Sequence, residues 1–83
     1  MRILYFSWIK DKIGKNIEEV EITSEITTIS HLISFLTKKS ENYSQAFSDL
    51  SSIQYSINMQ TAKIDDKVKN DDEIAFFPPM TGG

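Results

Sequence analysis

Residues 73–83 read Glu73-Ile74-Ala75-Phe76-Phe77-Pro78-Pro79-Met80-Thr81-Gly82-Gly83. After Glu73 the next four are apolar on both alternating faces, with Ile74 and Phe76 on one side and Ala75 and Phe77 on the other, as suits a strand covered on both faces. Such a strand belongs in the middle of a sheet. The prolines then end the ladder, since each lacks an N–H and pushes the preceding residue toward extended geometry. Phe77-Pro78-Pro79 is therefore expected to leave the body as a stiff stem, and Gly82-Gly83 to end it without side chains. Fully extended, Pro78 to Gly83 would span roughly 20 Å.

Working outward, Arg2 to Trp8 (Arg-Ile-Leu-Tyr-Phe-Ser-Trp) is the other stretch with both faces apolar, and it predicts a first strand beside the last one. Ile9 to Ile13 has the spacing of a short helical turn, closed by Gly14-Lys15-Asn16. From Ile17 to Thr23 the residues alternate, Val20 and Ile22 opposing Glu19, Glu21 and Thr23. That predicts a half-exposed strand.

Thr28 is a helix cap, and Ile29, Leu32, Ile33 and Leu36 follow at i, i+3, i+4 and i+7, an amphipathic helix ending near Lys38 and Lys39. Glu41 to Asp49 predicts a shorter second helix anchored by Tyr43, Ala46 and Phe47. Ile53, Tyr55, Ile57 and Met59 alternate with polar residues as one strand to Gln60, and Thr61 to Ile64 adds a short extended piece. Asp65 to Asp72 is a polar turn. One main helix and one short helix on a mixed sheet with first and last strands at its centre make an α+β fold, a ubiquitin-like β-grasp. The expected division is a body of residues 1–77 and a flexible tail of 78–83.

Composition narrows the function. An 83-residue chain builds one modest core, burying about 60 to 65% of its unfolded surface, which leaves little room for a deep catalytic pocket. It has no cysteine, hence no disulfide, thiolate metal site or side-chain persulfide. One histidine, His31, makes no metal set, and no metal is expected. Twelve acids against nine bases oppose a phosphate backbone, so nucleic acid is not an expected partner. The clusters Glu18-Glu19-Glu21, Asp65-Asp66 and Asp71-Asp72-Glu73 read as solvated edges and turns. No apolar run approaches 18 residues and no leader pattern opens the chain, so a cytoplasmic protein without a membrane partner is expected.

The terminal Gly-Gly is the feature with chemistry. An α-carboxylate is an anion at neutral pH, with a pKa of about 3.5, and a poor electrophile until activated. Adenylation makes one oxygen a leaving group, and a sulfur donor can then displace AMP to leave a thiocarboxylate. A narrow entrance to a partner's active site would admit glycine where larger residues obstruct. Ordering six tail residues loses about 6 to 12 kcal/mol of backbone entropy, so the body must contribute an apolar docking face. Phe77, next to the tail and opposed to Phe76, is the expected contact.

The block Asp72 to Gly83 resembles the C-terminal signature of the molybdopterin synthase small subunit family, and the likeness extends more weakly along the chain, including the Ile57-Asn58 pair. Asn70-Asp71-Asp72 departs from it where a glycine-containing turn is common, a turn that Asn and Asp can make at positive φ. The resemblance implies that Gly83 is the site of chemistry, adenylated by an ATP-dependent activating enzyme and then thiocarboxylated from a sulfur donor system. It implies no bound cofactor, only the glycyl-adenylate or thiocarboxylate modification. Pro78, Pro79, Met80, Thr81 and Gly82 would enter the large subunit, where sulfur passes to cyclic pyranopterin monophosphate. Two charged small subunits would serve each dithiolene, within a heterotetramer built on a large-subunit dimer. The chain would thus be one subunit of a heteromeric sulfurtransferase, with catalytic side chains on the other. The alternatives are a sulfur carrier for thiamine, cysteine or tRNA thiolation, a ubiquitin-like modifier, and a non-catalytic β-grasp adaptor.

Overall fold

The computed structural model describes residues 1–79. Its elements run β1 (Arg2–Tyr5), α1 (Ser7–Ile13), β2 (Ile17–Glu19), α2 (Ile29–Thr37), α3 (Glu41–Ala46), a single 3₁₀ turn (Leu50–Ser52), β3 (Gln54–Ile57), β4 (Gln60–Ala62) and β5 (Glu73–Phe77). The strands form one mixed sheet in the order β2-β1-β5-β3-β4. At its centre β1 and β5 are parallel, with Ile3 opposite Ile74 and Tyr5 opposite Phe76. β1 is also antiparallel to β2, and β3 to both β4 and β5. This is the β-grasp expected from the two doubly apolar strands.

One core holds the fold together. Ile3, Tyr5, Ile74 and Phe76 on the inner sheet face meet Ile9 and Ile13 of α1, Ile29, Leu32, Ile33 and Leu36 of α2, and Tyr43 and Ala46 of α3. All three helices therefore lie over the same face. Phe76 is fully buried: the Tyr5 ring stacks on it at 6.0 Å, and Phe47 and Tyr55 meet it edge-on at 5.0 and 5.9 Å. Thr28 caps α2 by accepting from the His31 amide at 3.2 Å. His31 is exposed, and its Nδ1 lies 3.2 Å from the Thr27 amide.

Several boundaries differ from the sequence reading. The expected strand Arg2–Trp8 stops at Tyr5, and Ser7 and Trp8 begin a helix instead. Hydrophobic alternation could not separate the two, because Ile9 and Ile13 fit an inward helix face as well as Ile3 and Tyr5 fit a strand. The ladder of β2 ends at Glu19 rather than Thr23. The Ile53–Gln60 strand is interrupted: Asn58 and Met59 both have positive φ (51° and 71°) and form a two-residue hairpin turn between β3 and β4, as a type I′ turn requires. Met59, expected on the apolar face, is instead 89% exposed at the tip.

Asn58 earns its place in that turn by bonding to β5: its Oδ1 accepts from the Glu73 amide and its Nδ2 donates to Asp72, both at 2.9 Å. The Asn70-Asp71-Asp72 turn needs no positive φ. Asn70 Oδ1 accepts from the Ile22 amide and Asp72 Oδ2 from the Lys69 amide, so side-chain acceptors replace the freedom a glycine would supply.

Gly14 closes α1 at φ 87°, its amide donating to the Lys10 carbonyl at 2.8 Å. A Cβ there would meet nothing within 4 Å, so the cost of a side chain is left-handed strain alone. Gly14→Ala is expected to lower stability by about 1 kcal/mol with an unchanged urea m-value; an unshifted midpoint would refute the strain argument.

Candidate functional site

β5 carries the stem to the edge of the body. Its parity puts Phe76 into the core and Phe77 on the opposite face, half-buried, with Pro78 half-buried and Pro79 exposed after it. Phe77 thus lies where the alternation placed it. Met80, Thr81, Gly82 and Gly83 fall outside the described residues.

The face that carries Phe77 also carries Leu4 and Ala75, adjacent in the ladder, and Ile17, opposite Leu4 across β2. Among the described residues, the buried helix side chains belong to the core cluster with Ile3, Tyr5, Ile74 and Phe76 instead. Phe6, one residue beyond β1, is extended (φ −121°, ψ 154°), so it follows Leu4 on that face, while its amide donates to the Phe76 carbonyl at 3.1 Å. Phe6 is 47% and Ile17 52% exposed. Together with Phe77 they make an apolar patch next to the stem, and Gln54, Thr61, Phe77 and Pro79 line a shallow open depression beside it.

Ser7 sharpens the turn out of β1 with φ 56°, a left-handed conformation that costs on the order of 1 to 3 kcal/mol for a residue with a side chain. It reverses the chain within one residue, leaving Phe6 outward while Ile9 enters the core. Phe6 was missed in the sequence because Arg2–Trp8 read as covered on both sides, and Ile17 because Val20 and Ile22 marked the apolar face of its strand. The available signal was parity: Phe6 shares a face with Leu4, not with Tyr5.

Behind this face the structure buries a charge. Glu18, read as part of a solvated acidic cluster, is 8% exposed because β2 points it inward with Val20. Its Oε1 accepts from the Tyr43 hydroxyl at 2.8 Å and the Tyr5 hydroxyl at 3.0 Å. Its Oε2 faces Lys39 Nζ at 3.2 Å and Lys15 Nζ at 3.5 Å. Burial works to raise the Glu18 pKa, but hydrogen bonds from Tyr43, Lys39 and Tyr5 outweigh it and hold the carboxyl below its ordinary range. Burial first, then Glu18, pushes Tyr43 up to about 12, and the same causes push Tyr5 up further. The acidic cluster therefore splits, with Glu18 inside and Glu19 outside, paired with Arg2 at 2.9 Å.

Among the described residues no group of three or more His, Asp or Glu side chains is placed to hold a metal ion. None of the described helices is long and apolar enough to cross a membrane.

The sequence matches the ThiS family over residues 3–83. It is 29% identical to the molybdopterin synthase sulfur carrier subunit of Haemophilus influenzae over 83 residues, covering all of this chain and 99% of that protein. The protein of the same description in Escherichia coli is 25% identical, with the same coverage. Among solved structures, SAMP1 from Haloferax volcanii superposes with a TM-score of 0.75 at 20% identity, covering 100% of this chain and 98% of that one.

Glu18→Leu would leave the buried Tyr5 and Tyr43 hydroxyls without their acceptor, and is expected to cost roughly 3 kcal/mol in urea unfolding. The pH dependence follows from the signs. Glu18, depressed in the folded state, stabilises above the ordinary carboxylate range, and that contribution is lost as pH falls through its lower folded value. Tyr43, raised to about 12, stabilises fully below the ordinary tyrosine range of about 10 and loses that contribution as pH rises toward 12. Glu18→Gln should make the acid limb of a stability-against-pH curve shallower; an unchanged limb would show that other carboxylates dominate it.

Proposed function

We propose that this chain, which belongs to the ThiS family, is a sulfur carrier whose reactive atom is borne by Gly83 at the end of a tail formed by residues 78–83. The body of residues 1–77 contributes docking, and the tail contributes reach. What supports the reading most directly is the stem: β5 runs into Pro78-Pro79 beside an uncovered apolar patch of Phe6, Ile17 and Phe77. The relatives described as molybdopterin synthase sulfur carrier subunits match this chain over its whole length.

In the first step a carboxylate oxygen of Gly83 attacks the α-phosphorus of ATP in an activating enzyme, and pyrophosphate leaves. Sulfide supplied by a donor system then attacks the acyl carbon, the C–O bond to AMP breaks, and a thiocarboxylate remains. In the large subunit of a molybdopterin synthase that sulfur forms a C–S bond to a carbon of the cyclic pyranopterin precursor while a C–O bond at that carbon breaks and its oxygen leaves as phosphate or hydroxide, and water then cleaves the acyl–sulfur bond to restore the Gly83 carboxylate. The catalytic groups are those of the partner enzymes. This chain sets where the acyl carbon arrives, and near-attack distances of roughly 3 to 3.5 Å make that placement a large part of the rate.

Phe77 and Phe6 suit the docking role because aromatic side chains desolvate large areas with few rotatable bonds. Complete burial of one such ring, about 150 to 250 Å², contributes roughly 4 to 6 kcal/mol, which helps offset the ordering of the tail.

Incubation with the activating enzyme, ATP and sulfide should add about 16 Da to the intact chain, the difference between sulfur and oxygen, and place it on the Gly83 fragment. An unchanged mass would favour the adaptor alternative, and a covalent adduct to a target lysine the modifier alternative. Deleting Gly83 should abolish transfer with the urea midpoint unmoved. In calorimetry against the large subunit, Phe77→Ala should weaken binding by more than about 1 kcal/mol; equal affinity would remove Phe77 from the interface.

A further inference from the structure

The Glu18 cluster is joined to β5, the strand that runs into Pro78, by a short series of contacts. Glu18 receives the Tyr5 hydroxyl; the Tyr5 ring lies nearly parallel to that of Phe76, 12° between planes at 6.0 Å; and Phe76 is two residues before Pro78. The backbone repeats the connection, because Tyr5 pairs with Phe76 in the parallel ladder and the Phe6 amide donates to the Phe76 carbonyl. Tyr5 thus touches both the strand that becomes the stem and the residue that begins the exposed patch. Tyr43 bonds the same carboxylate oxygen but belongs to α3, and it meets Tyr5 only edge-on at 6.4 Å.

A carboxylate in the core is a costly way to fill space, since replacing a whole buried ionic cluster by well-packed apolar residues is often neutral or stabilising. What it adds over an apolar group is direction: Glu18 fixes the Tyr5 hydroxyl at one point, and so fixes the ring plane against Phe76. Lys15 and Lys39 face the other Glu18 oxygen and hold the carboxylate in place, while Tyr43 shares Oε1 with Tyr5.

We infer that Glu18, acting through the Tyr5 hydroxyl, is a positioning residue that sets the direction in which the tail leaves the body and the pose of Phe6 on the docking face. The inference rests on the carrier reading. Its consequence is asymmetric: Tyr5→Phe and Tyr43→Phe each remove one hydroxyl from the same oxygen and keep their rings, yet only the first lies on the path to the stem.

The experiment measures single-turnover sulfur transfer by the thiocarboxylated chain to the pterin precursor in the large subunit, at a temperature where both variants are folded by circular dichroism. Tyr5→Phe should lower the transfer rate about tenfold at saturating large subunit and shift the amide resonances of Phe6 and Phe77. Tyr43→Phe should stay within twofold of the unaltered chain, with those resonances in place. Equal losses in both variants, tracking their urea midpoints, would overturn the inference by reducing the cluster to a stabilising role. Full transfer by Tyr5→Phe would overturn it too, while sulfur uptake by the unaltered chain keeps the carrier reading intact. An unaltered chain that takes up no sulfur would overturn the carrier reading itself, and the positioning role with it.

Discussion

The parallel pairing of β1 with β5 is the constraint on which the remaining structure depends. It joins the first strand of the chain to the last, places Tyr5 against Phe76, and closes the core only after the final strand has been added. Contacts so far apart in sequence are entropically expensive to form, and the aromatic cluster around Phe76 supplies the apolar burial that offsets this. The stem begins two residues beyond that ring. The same side chain therefore anchors the core and the strand that leads into Pro78.

The two faces of the sheet divide the labour. On the inner face all three helices cover Ile3, Tyr5, Ile74 and Phe76; on the outer face Phe6, Ile17 and Phe77 remain at least partly open beside the stem. A small domain has a single core, so a face left without a helix is where it can offer apolar area to another protein. The strained Ser7 turn and the doubly left-handed Asn58-Met59 hairpin both lie where the chain reverses abruptly at the end of a strand. Neither reversal uses a glycine. At Asn58 side-chain hydrogen bonds to Asp72 and Glu73 compensate.

Glu18 illustrates how an ionised group survives in so small a core. Two hydroxyls and two ammonium groups surround its two oxygens, and none of the buried side-chain polar atoms among the described residues lacks a partner. The arrangement ties β2, β1, α3 and the segments around Lys15 and Lys39 to one point. Removing the carboxylate leaves both hydroxyls without their acceptor, so the elements are coupled more tightly than hydrophobic packing alone would make them.

Much of this was legible in the residues themselves. The two-faced apolarity of Ile74 to Phe77, the period of Ile29, Leu32, Ile33 and Leu36, the cap at Thr28 and the αL position at Gly14 are local signals, and local backbone and burial preferences decide them. The β-grasp and the opposite faces of Phe76 and Phe77 followed from these. Local signals could not decide where β1 yields to α1, that the Asn58-Met59 pair turns rather than extends, or that Glu18 is inside while Glu19 is out. Those outcomes depend on what lies across the fold: Tyr43 and Lys39, more than 20 residues away, are what make a buried carboxylate tolerable, and parity with a partner strand is what turns Phe6 and Ile17 outward. Sequence alone determined the main helix and the two-faced last strand, because each is set by neighbours along the chain; tertiary structure decided the ends of the other strands, the patch and the buried charge, because each is set by neighbours in space.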